Sequence, residues 1–356
     1  MEDINNQTTL NQDNPFIEKP AQLISGFWRR LAAFFIDGIM LGITGFIIGT
    51  LFYDFFAELG GLGRLIGFII ALFYFGTLNS SIGNGQTIGK RIMKIKVVDK
   101  NASTISLFRS SARYTILGVP YFLNMALLPP WVLYSFVSYL IGAIVFLGGG
   151  AIIYLYIFNR KTRQSLHDIV IGTFVIKVGP VDKVTFPIYW KGHLVVVGIL
   201  CVAIFGTLYL EFPKLLNKTP FPEMFSIQKS IYESGLIHSS NVKVNSSVTF
   251  NIWKHSKTNL ESDDNKRKET TSLSVEAFLK KKPENYQLII DNIALIVLNK
   301  FPTILGKDLL AITVVYGYDI GISSAWKKES NSYSLEKWKG RLSNSQIGKQ
   351  EKDRNN

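Results

Sequence analysis

Charge and cysteine are both scarce in this chain. Only 18% of its 356 residues are charged, whereas roughly a quarter are charged in a typical soluble domain. The single cysteine, Cys201, excludes a disulfide within the chain and indicates no redox compartment. The low charge argues against a wholly soluble protein, and the low cysteine count argues against a disulfide-stabilised one.

The sequence also lacks the motifs typical of catalytic, metal-binding and phosphate-binding sites. No HExxH, Ser–His or paired-aspartate arrangement is present, His238 and His255 are isolated, and no spacing suits a metal. The stretch from Gly83 to Gly89 has the wrong spacing for a phosphate-binding loop, and Lys90 is followed by Arg91 rather than Ser or Thr. We therefore expect no enzymatic activity, no cofactor and no metal.

The N-terminus lacks the features of a signal peptide. The first twenty residues are polar and acidic, the reverse of the basic and apolar regions that such a peptide carries. We expect residues 1–24 to form a disordered tail that stays in the cytoplasm.

What the chain does contain is long hydrophobic runs. Hydrophobic residues make up 47% of it, and the mean hydropathy is +0.19. A helix of about 20 apolar residues crosses a bilayer core about 30 Å thick. The charge-free run from Tyr114 to Asn159 is too long for one crossing, and Pro129-Pro130 marks its turn. The sequence thus predicts an all-α membrane bundle with about five transmembrane helices, at residues 28–53, 64–83, 110–128, 131–158 and, in a linker-plus-helix segment at 181–211, His193–Leu210.

Lysine and arginine predict the orientation of these spans. The N-terminal flank, the loop between the second and third spans and the loop after the fourth are basic, whereas the loop between the first two contains only Arg64. Because basic loops stay in the cytoplasm, we expect a cytoplasmic N-terminus, and five crossings place the C-terminal domain outside. The net charge of +13 then reflects loop anchoring and contact with anionic lipid headgroups, and no nucleic acid is expected as a partner.

Two short segments between the spans are typical of β-strands. Ile92 to Val98 is rich in β-branched residues and precedes a turn-like stretch, Asp99 to Asn101, which favours a small hairpin. Thr173 to Val178 is a second strand-like piece. We expect a small cytoplasmic β element beside the membrane bundle.

Residues 212–340 are soluble in character and are predicted to form an extracytoplasmic α+β domain. Val242–Trp253 and Leu309–Gly321 are typical of strands, and Asn285–Phe301 is typical of an amphipathic helix. No catalytic cluster is visible here, which favours a binding or structural module. Residues 341–356 are predicted to be a disordered tail.

The first span contains a carboxylate at membrane depth, Asp37. At 100° per residue, Arg30, Asp37 and Thr44 fall on one polar stripe. An aspartate at the centre of a span costs about 2.5–3.5 kcal/mol, so Asp37 should face the bundle or water. Two interpretations stay open: a group that relays protons or cations, and a static interhelical pair that fixes the register.

A second stripe on the same span consists of glycines. They form two small-xxx-small patterns and are Gly38, Gly42, Gly45 and Gly49. We expect this face to pack closely against another transmembrane helix, which would make the first span central.

Three segments of the chain form an ordered set: GFWRRLAAFFIDGIML (26–41), NGQTIGKRIMKIKVVD (84–99) and RQSLHDIVIGTFVI (163–176). Together they resemble the RDD family, which is named for one arginine and two aspartates. The matching positions are Arg30, Asp37 and Asp168, and Arg29 is a second candidate for the arginine. The resemblance places the membrane domain at 25–180 and implies a multi-pass protein of the bacterial inner (plasma) membrane. Some family members are linked to cation/proton antiport.

The resemblance also implies a site. Because Arg30 and Asp168 lie at the same end of the predicted bundle, we expect them to be in contact, with Asp37 deeper. Asp37 then has three candidate partners: Arg109, Arg113 and Asn79. Supporting residues are expected around the site: Arg29, Arg109, Arg113, Arg163 and His167.

Two functions are predicted from these features. The first is a transport protein for a small solute or a monovalent cation, including cation/proton antiport, with Asp37 as the coupling carboxylate. The alternative is a membrane-anchored envelope assembly protein, whose exported domain binds an extracytoplasmic partner. The size of that domain, larger than any loop, favours the alternative. Both leave open whether the chain forms a homo-oligomer.

Overall fold

The structure, a computed structural model, describes residues 23–133, 135–179, 185–216, 221–250, 267–301 and 308–354. The predicted tail at 1–24 therefore lies almost entirely outside the described residues. The chain divides into two compact units. The first combines the chain up to Ile39 with Leu72–Leu117 and Gly149–Gly198, and the second combines Met40–Ala71, Gly118–Gly148 and the chain from Ile199 onward.

Helices dominate the N-terminal part of the chain. In order they are α1 (Phe27–Leu51), α2 (Tyr53–Leu59), α3 (Gly63–Leu78), α4 (Ile88–Ile92), α5 (Leu107–Leu123), α6 (Pro130–Leu133), α7 (Phe136–Ala143), α8 (Gly149–Phe158), α9 (Leu166–Ile171) and α10 (Gly192–Leu216). A 3₁₀ turn, Gly60–Leu62, links α2 to α3, and a π-helical turn, Ile144–Gly148, joins α7 to α8.

Within the described residues, four helical stretches are long and apolar enough to cross a bilayer: Phe27–Leu51, Tyr53–Leu78, Phe136–Phe158 and Gly192–Glu211. They correspond to the predicted first, second, fourth and fifth spans. In the most apolar 18-residue window of each stretch at most 33% of the residues are buried, so most of each apolar surface is open to a lipid environment. The chain therefore has a helical membrane part, and the number of crossings stays a prediction.

α5 is shorter than the third span expected at 110–128. It has 17 residues, contains Pro120 and ends at Leu123, so it is not one of the four long stretches. A proline inside a helix removes one backbone hydrogen bond and weakens the turn before it. The expected break at Pro129-Pro130 is present, since a new helix begins at Pro130.

The first unit contains a two-stranded antiparallel sheet. β1 (Ile95–Asp99) pairs with β2 (Thr173–Lys177), with Val97 opposite Val175. The hairpin expected directly after β1 is wrong, because the partner strand follows α9. Ala33 of α1 packs on both buried strands, and a local hairpin would leave their apolar side chains without this cover.

The second unit contains a four-stranded sheet with flanking helices. Its elements are α11 (Phe221–Glu233), β3 (Ile237–Phe250), β4 (Arg267–Leu279), α12 (Tyr286–Lys300), β5 (Leu309–Asp319), β6 (Ser324–Ser334) and α13 (Leu335–Arg354). The strand order is β3-β4-β5-β6, and only the β4–β5 pair is parallel. α12 lies between these two strands in the chain and makes the crossover that a parallel pair needs.

The core of this C-terminal domain lies between the sheet and its helices. Ile227 and Ile231 of α11 and Trp338 of α13 are buried in it, and Trp338 Nε1 donates to the Leu310 carbonyl at 2.8 Å. α12 contributes side chains at helical spacing: Ile290, Ile293, Ala294 and Val297. The predicted α+β class is therefore present in this part of the chain.

Several elements of the C-terminal domain differ from the sequence prediction. The strand expected to begin at Val242 begins at Ile237, and β4 and β6 were missed. β6 reads SAWKKESNSYS and is largely exposed at the sheet edge, so it lacks the apolar alternation that reveals a strand. The segment 341–356, expected to be disordered, is helical as far as Arg354, because it continues the helix that Trp338 anchors.

Candidate functional site

Asp168 is the centre of a buried ion-pair cluster in the first unit. It is the N3 residue of α9, where its carboxylate completes a capping box with Ser165. Arg30 Nη2 donates to Oδ2 at 2.6 Å, and Arg113 Nη2 donates to Oδ1 at 2.8 Å. Thr173 Oγ1 also donates to Oδ1, at 2.9 Å. The expected contact between Arg30 and Asp168 is present, and Arg113 supplies a second cation.

A buried polar loop between α8 and α9 holds this cluster in place. Asn159 Nδ2 donates to Thr162 Oγ1 at 2.8 Å and to the Gln164 carbonyl at 2.9 Å. Gln164 Nε2 donates to the Thr173 carbonyl at 2.8 Å, which ties the loop to the start of β2. Arg163 contributes its backbone carbonyl, which accepts from Arg30 Nη1. The loop therefore fixes the position of α9 relative to the arginines.

Neighbouring charges keep the carboxyl group of Asp168 ionised. Burial alone would raise the pKa of its carboxyl, but the charges of Arg113, His167 and Arg30 together hold that pKa well below its usual range. Burial lowers the pKa of His167 to about 3, against the opposite influence of Asp168. At neutral pH, Asp168 is an anion and His167 is uncharged.

Asp37 lies in the same unit, 1% exposed. Tyr74 Oη donates to Oδ1 at 2.7 Å, the Gly89 amide donates to Oδ1 at 2.8 Å, and Thr87 Oγ1 donates to Oδ2 at 2.6 Å. These donors replace the three partners considered from the sequence. Because they come from α3 and from the start of α4, Asp37 ties both elements to α1. All three donors are neutral, so they stabilise the carboxylate without a paired cation.

Lys90 is an ionisable residue at this site that the sequence interpretation missed, as it missed Tyr74 and Thr87. Its Nζ donates to Asn79 Oδ1 at 2.8 Å and lies 6.0 Å from the centre of the Phe75 ring. Burial, followed by the charge of Arg113, lowers the pKa of Lys90 to about 7. In the sequence it stood only as one of many loop lysines. Its place directly after Thr87 and Gly89, which bind Asp37, is visible only in the folded chain.

A cavity of about 340 Å³ opens beside these groups. Much of its lining is apolar and includes Phe34, Leu117 and Ile153. Its polar lining consists of Arg30, Asp37, Asn79, Lys90, Arg113 and His167. Small-molecule sites are commonly clefts of roughly 300–1,000 Å³ with mostly apolar walls and a few converging polar groups. We refer to this cavity with its polar residues as the charged cavity.

Thr44 is not part of this site. Its side chain is exposed, and its Oγ1 donates to the Met40 carbonyl of its own helix at 2.9 Å. The polar stripe expected along α1 therefore ends at Asp37. A threonine that bonds within its own helix needs no partner from a second helix.

The glycine stripe of α1 has a different partner from the helix that was expected. Gly38 is open, with no described atom near the position of a Cβ. Gly45 and Gly49 instead pack within the second unit against the end of β5 and the turn that follows. A methyl group at Gly45 would lie 2.8 Å from Ile322 Cγ1, and one at Gly49 would overlap the Tyr318 hydroxyl. The small residues admit a tyrosine and a turn from the C-terminal domain rather than a transmembrane helix.

Two other predicted arginines lie outside the charged cavity. Arg109 Nη2 donates to the Ile171 carbonyl at 2.8 Å and so satisfies the last turn of α9. Arg29 is exposed and lines a separate open groove together with Arg160, Arg163 and Lys177. Of the two adjacent arginines, Arg30 is the one that reaches Asp168.

Comparisons with known proteins match the part of the chain that carries this site. The family model described as "RDD family" matches residues 24–172. The chain is 27% identical over 182 residues to the uncharacterized protein YxaI of Bacillus subtilis (strain 168), a match that covers 45% of this chain and 99% of that protein. It is also 27% identical over 167 residues to the uncharacterized protein YckC of the same strain, covering 47% of this chain and 91% of that protein.

No solved structure matches the chain. α10 and the C-terminal domain lie beyond the family match, which ends at residue 172. The matched segment contains the arginine and the two aspartates around which the charged cavity is built. The segment 24–172, which matches the RDD family model and which we refer to as the RDD domain, lies within a multi-helix membrane protein.

Proposed function

We propose that the RDD domain is a transport unit for a small solute and that the charged cavity is its binding site. The observation that carries this proposal is the cavity itself. It is large enough for a small molecule, and five side chains of arginine, lysine, aspartate and histidine line it in a domain built on apolar helices. Ionisable groups in such surroundings cost several kcal/mol, and in membrane proteins they commonly mark solute or proton pathways.

Asp37 and Lys90 are the ionisable lining groups that stand outside the Asp168 ion pairs. Either can change its partners without breaking those pairs. Monovalent cation/proton exchange, the narrower hypothesis from the sequence, requires Asp37 to exchange neutral donors such as Tyr74 and Thr87 for a cation. The transport proposal does not depend on that exchange, because Lys90 also offers a group that titrates near neutral pH.

Flux measurements test the transport proposal. The full chain is reconstituted in liposomes with an internal pH dye, and panels of small cations and small organic anions are applied under a pH gradient. We expect a solute-dependent pH change that Asp37→Asn and Lys90→Met each abolish. Glu58→Gln removes an exposed carboxylate outside the cavity and should leave the flux unchanged. No flux for any solute, or full flux in both cavity variants, would contradict the proposal.

A second candidate function belongs to the C-terminal domain. Its sheet and helices share a buried core, to which Ala57 of α2 also contributes. Within the second unit, Arg64 Nη2 forms an ion pair with Asp319 Oδ2 at 2.5 Å. A folded module held in this way favours the envelope-partner hypothesis, in which the domain binds another protein. Flux that survives truncation after Leu210 would assign transport to the helices alone. Flux lost from a stable truncated protein would make the domain part of the activity.

We further propose that the protein resides in the bacterial inner membrane, with its N-terminus in the cytoplasm and its C-terminal domain outside. The distribution of basic residues among the loops supports this orientation. Paired reporters fused after Lys214, one active only in the cytoplasm and one only outside it, test the assignment. Activity of the cytoplasmic reporter would reverse it.

A further inference from the structure

The charges at the charged cavity do not balance when all of them are ionised. Arg30, Lys90 and Arg113 are cations, whereas Asp37 and Asp168 are the carboxylates beside them. Asp168 pairs directly with both arginines, and Asp37 is held by neutral donors. One positive charge is therefore in excess, because two arginines share the carboxylate of Asp168, and within the described residues Lys90 is the cation of this cluster that is hydrogen-bonded to no carboxylate. Lys90 is partly buried, and an unbalanced charge in such a site is costly, so the cluster becomes neutral when Lys90 loses its proton or when an anion joins it.

The surroundings of Lys90 favour its ammonium form only weakly. Its described hydrogen bond runs to an amide oxygen, that of Asn79, and its other close neighbour is the face of the Phe75 ring. An amide and a ring carry partial charges, which compensate an ammonium less than a carboxylate does. A carboxylate or similar anion in the cavity would supply the missing counter-charge.

The apolar part of the cavity wall indicates the chemistry of the rest of the ligand. Side chains from three helices, α1, α5 and α8, give it an apolar surface: Phe34, Tyr114, Leu117 and Ile153. An apolar body attached to the anionic group would displace water from this surface. A bare inorganic anion would leave most of the cavity without a partner.

We propose that the charged cavity binds a small solute with an apolar body and a single negative charge, and that the anionic group of this solute pairs with the ammonium of Lys90. This inference deepens the proposed function, because it rests on the same cavity being the solute site. Binding balances the charge at the cluster, since one anion offsets the single positive charge that its described residues carry in excess.

Proton uptake follows from the same geometry. The groups that face Lys90 are Asn79 and Phe75 of α3, Arg30 and Asp37 of α1, Arg113 of α5, and His167 and Asp168 of α9. Burial and the charge of Arg113 lower the pKa of Lys90 to about 7. An anion beside Nζ raises that pKa again, so above pH 7 the anion enters together with a proton that water releases to Nζ.

Isothermal titration of the full chain in nanodiscs of neutral lipid tests this inference, with benzoate as the probe. Neutral benzamide and cationic benzamidine have nearly the same shape and serve as charge controls. We expect benzoate to bind and the two controls not to bind. Because Lys90 is mostly neutral at pH 8, benzoate should bind roughly tenfold more weakly there than at pH 6. Titrations in buffers of different ionisation enthalpy should give about one proton taken up per benzoate at pH 8 and nearly none at pH 6.

Substitutions of Lys90 distinguish pairing with its ammonium group from a general attraction of benzoate to the positive charge of the protein. Lys90→Met should abolish benzoate binding, whereas Lys90→Arg should retain binding and lose its pH dependence, because arginine stays charged. Lys100→Met removes an exposed lysine of the β1 turn and should change neither property. Preferred binding of benzamidine, or benzoate binding that survives Lys90→Met, would overturn the inference.

Two further measurements distinguish this inference from binding of a lipid headgroup at the same site and from the transport proposal. Nanodiscs that contain anionic lipid should leave benzoate affinity unchanged, and competition by that lipid would assign the site to a lipid headgroup instead. Benzoate binding without any flux would refute transport and leave the anion site standing. Cation flux without benzoate binding would refute the anion site and leave transport standing.

Discussion

Arg30 and Asp168 lie 138 residues apart in the chain and are joined by a hydrogen-bonded ion pair of 2.6 Å, with the carboxylate fully buried. This contact connects the first turn of α1 to the first turn of α9. Arg113 binds the other oxygen of the same carboxylate. One aspartate therefore holds three helices of the RDD domain together.

Removing Arg30 should destabilise the protein strongly. Arg30→Met leaves Asp168 with one arginine instead of two, and breaking a buried ion pair from one side costs about 3–5 kcal/mol. Arg29→Met is the matched control, because Arg29 is the adjacent arginine and is exposed. Thermal unfolding in detergent should show a large drop for the first variant and almost none for the second. Equal drops in melting temperature would show that the ion pair contributes no more to stability than an exposed arginine does.

Stability should fall in mild acid because of His167. Burial lowers the pKa of His167 to about 3 in the folded protein, whereas in the unfolded chain the pKa of this histidine keeps its ordinary value of 6.5. Below pH 6.5 the unfolded chain binds a proton that the folded chain does not, so the free energy of unfolding decreases as the pH falls toward 3. Melting temperatures of wild type and His167→Asn measured between pH 7.5 and pH 4.5 check this. The variant should show a shallower decline, and parallel curves would exclude His167 as the cause.

Gly49→Ala should loosen the C-terminal domain. A methyl group there overlaps the Tyr318 hydroxyl, and overpacking of this kind costs about 1–3 kcal/mol. Gly38→Ala meets no described atom and should be neutral or stabilising, since alanine favours a helix by about 1 kcal/mol over glycine. Limited proteolysis of the C-terminal domain, followed over time, should be faster in Gly49→Ala only. Equal rates in both variants would contradict the observed packing of this face.

The contact between Arg64 and Asp319 should show coupling in a double-mutant cycle. Nε and Nη2 of Arg64 both donate to Oδ2 of Asp319, at 3.1 and 2.5 Å. Arg64 Nη1 also donates to the carbonyls of Phe122 and Asn124, so Arg64→Met should destabilise more than Asp319→Asn. Because the pair is only partly buried, we expect a coupling of about 1 kcal/mol in thermal unfolding. A coupling free energy of zero would show that this ion pair does not stabilise the C-terminal domain.

The sequence was sufficient for features that depend on local patterns. Runs of apolar residues located four of the five predicted spans, and alternation or helical periodicity located β5 and α12. The contact between Arg30 and Asp168 was predicted because both residues lie at the same end of the predicted bundle. These predictions needed no knowledge of how distant segments pack.

The features that the sequence interpretation missed depend on long-range packing. Lys90 differs from other loop lysines only because α4 is drawn toward Asp37, and no periodicity reports that contact. The glycines of α1 signalled a close approach but not its partner, since a helix and a tyrosine-bearing turn require the same small residues. β6 was missed for a related reason: an exposed edge strand carries polar side chains on most of its length.

The sheet of the RDD domain has a consequence for the order of biogenesis. Ile24 and β1 both pair with β2, and the chain reaches β2 only after α9 has been made. At a synthesis rate of about 5–20 residues per second, β1 therefore waits several seconds for its partner. During that interval the unpaired backbone of β1 and its apolar side chains are open to solvent or to a chaperone. A ribosome that stalls before Thr173 would leave β1 without its partner strand. The exposed backbone and apolar side chains of β1 would then be open to quality-control proteases.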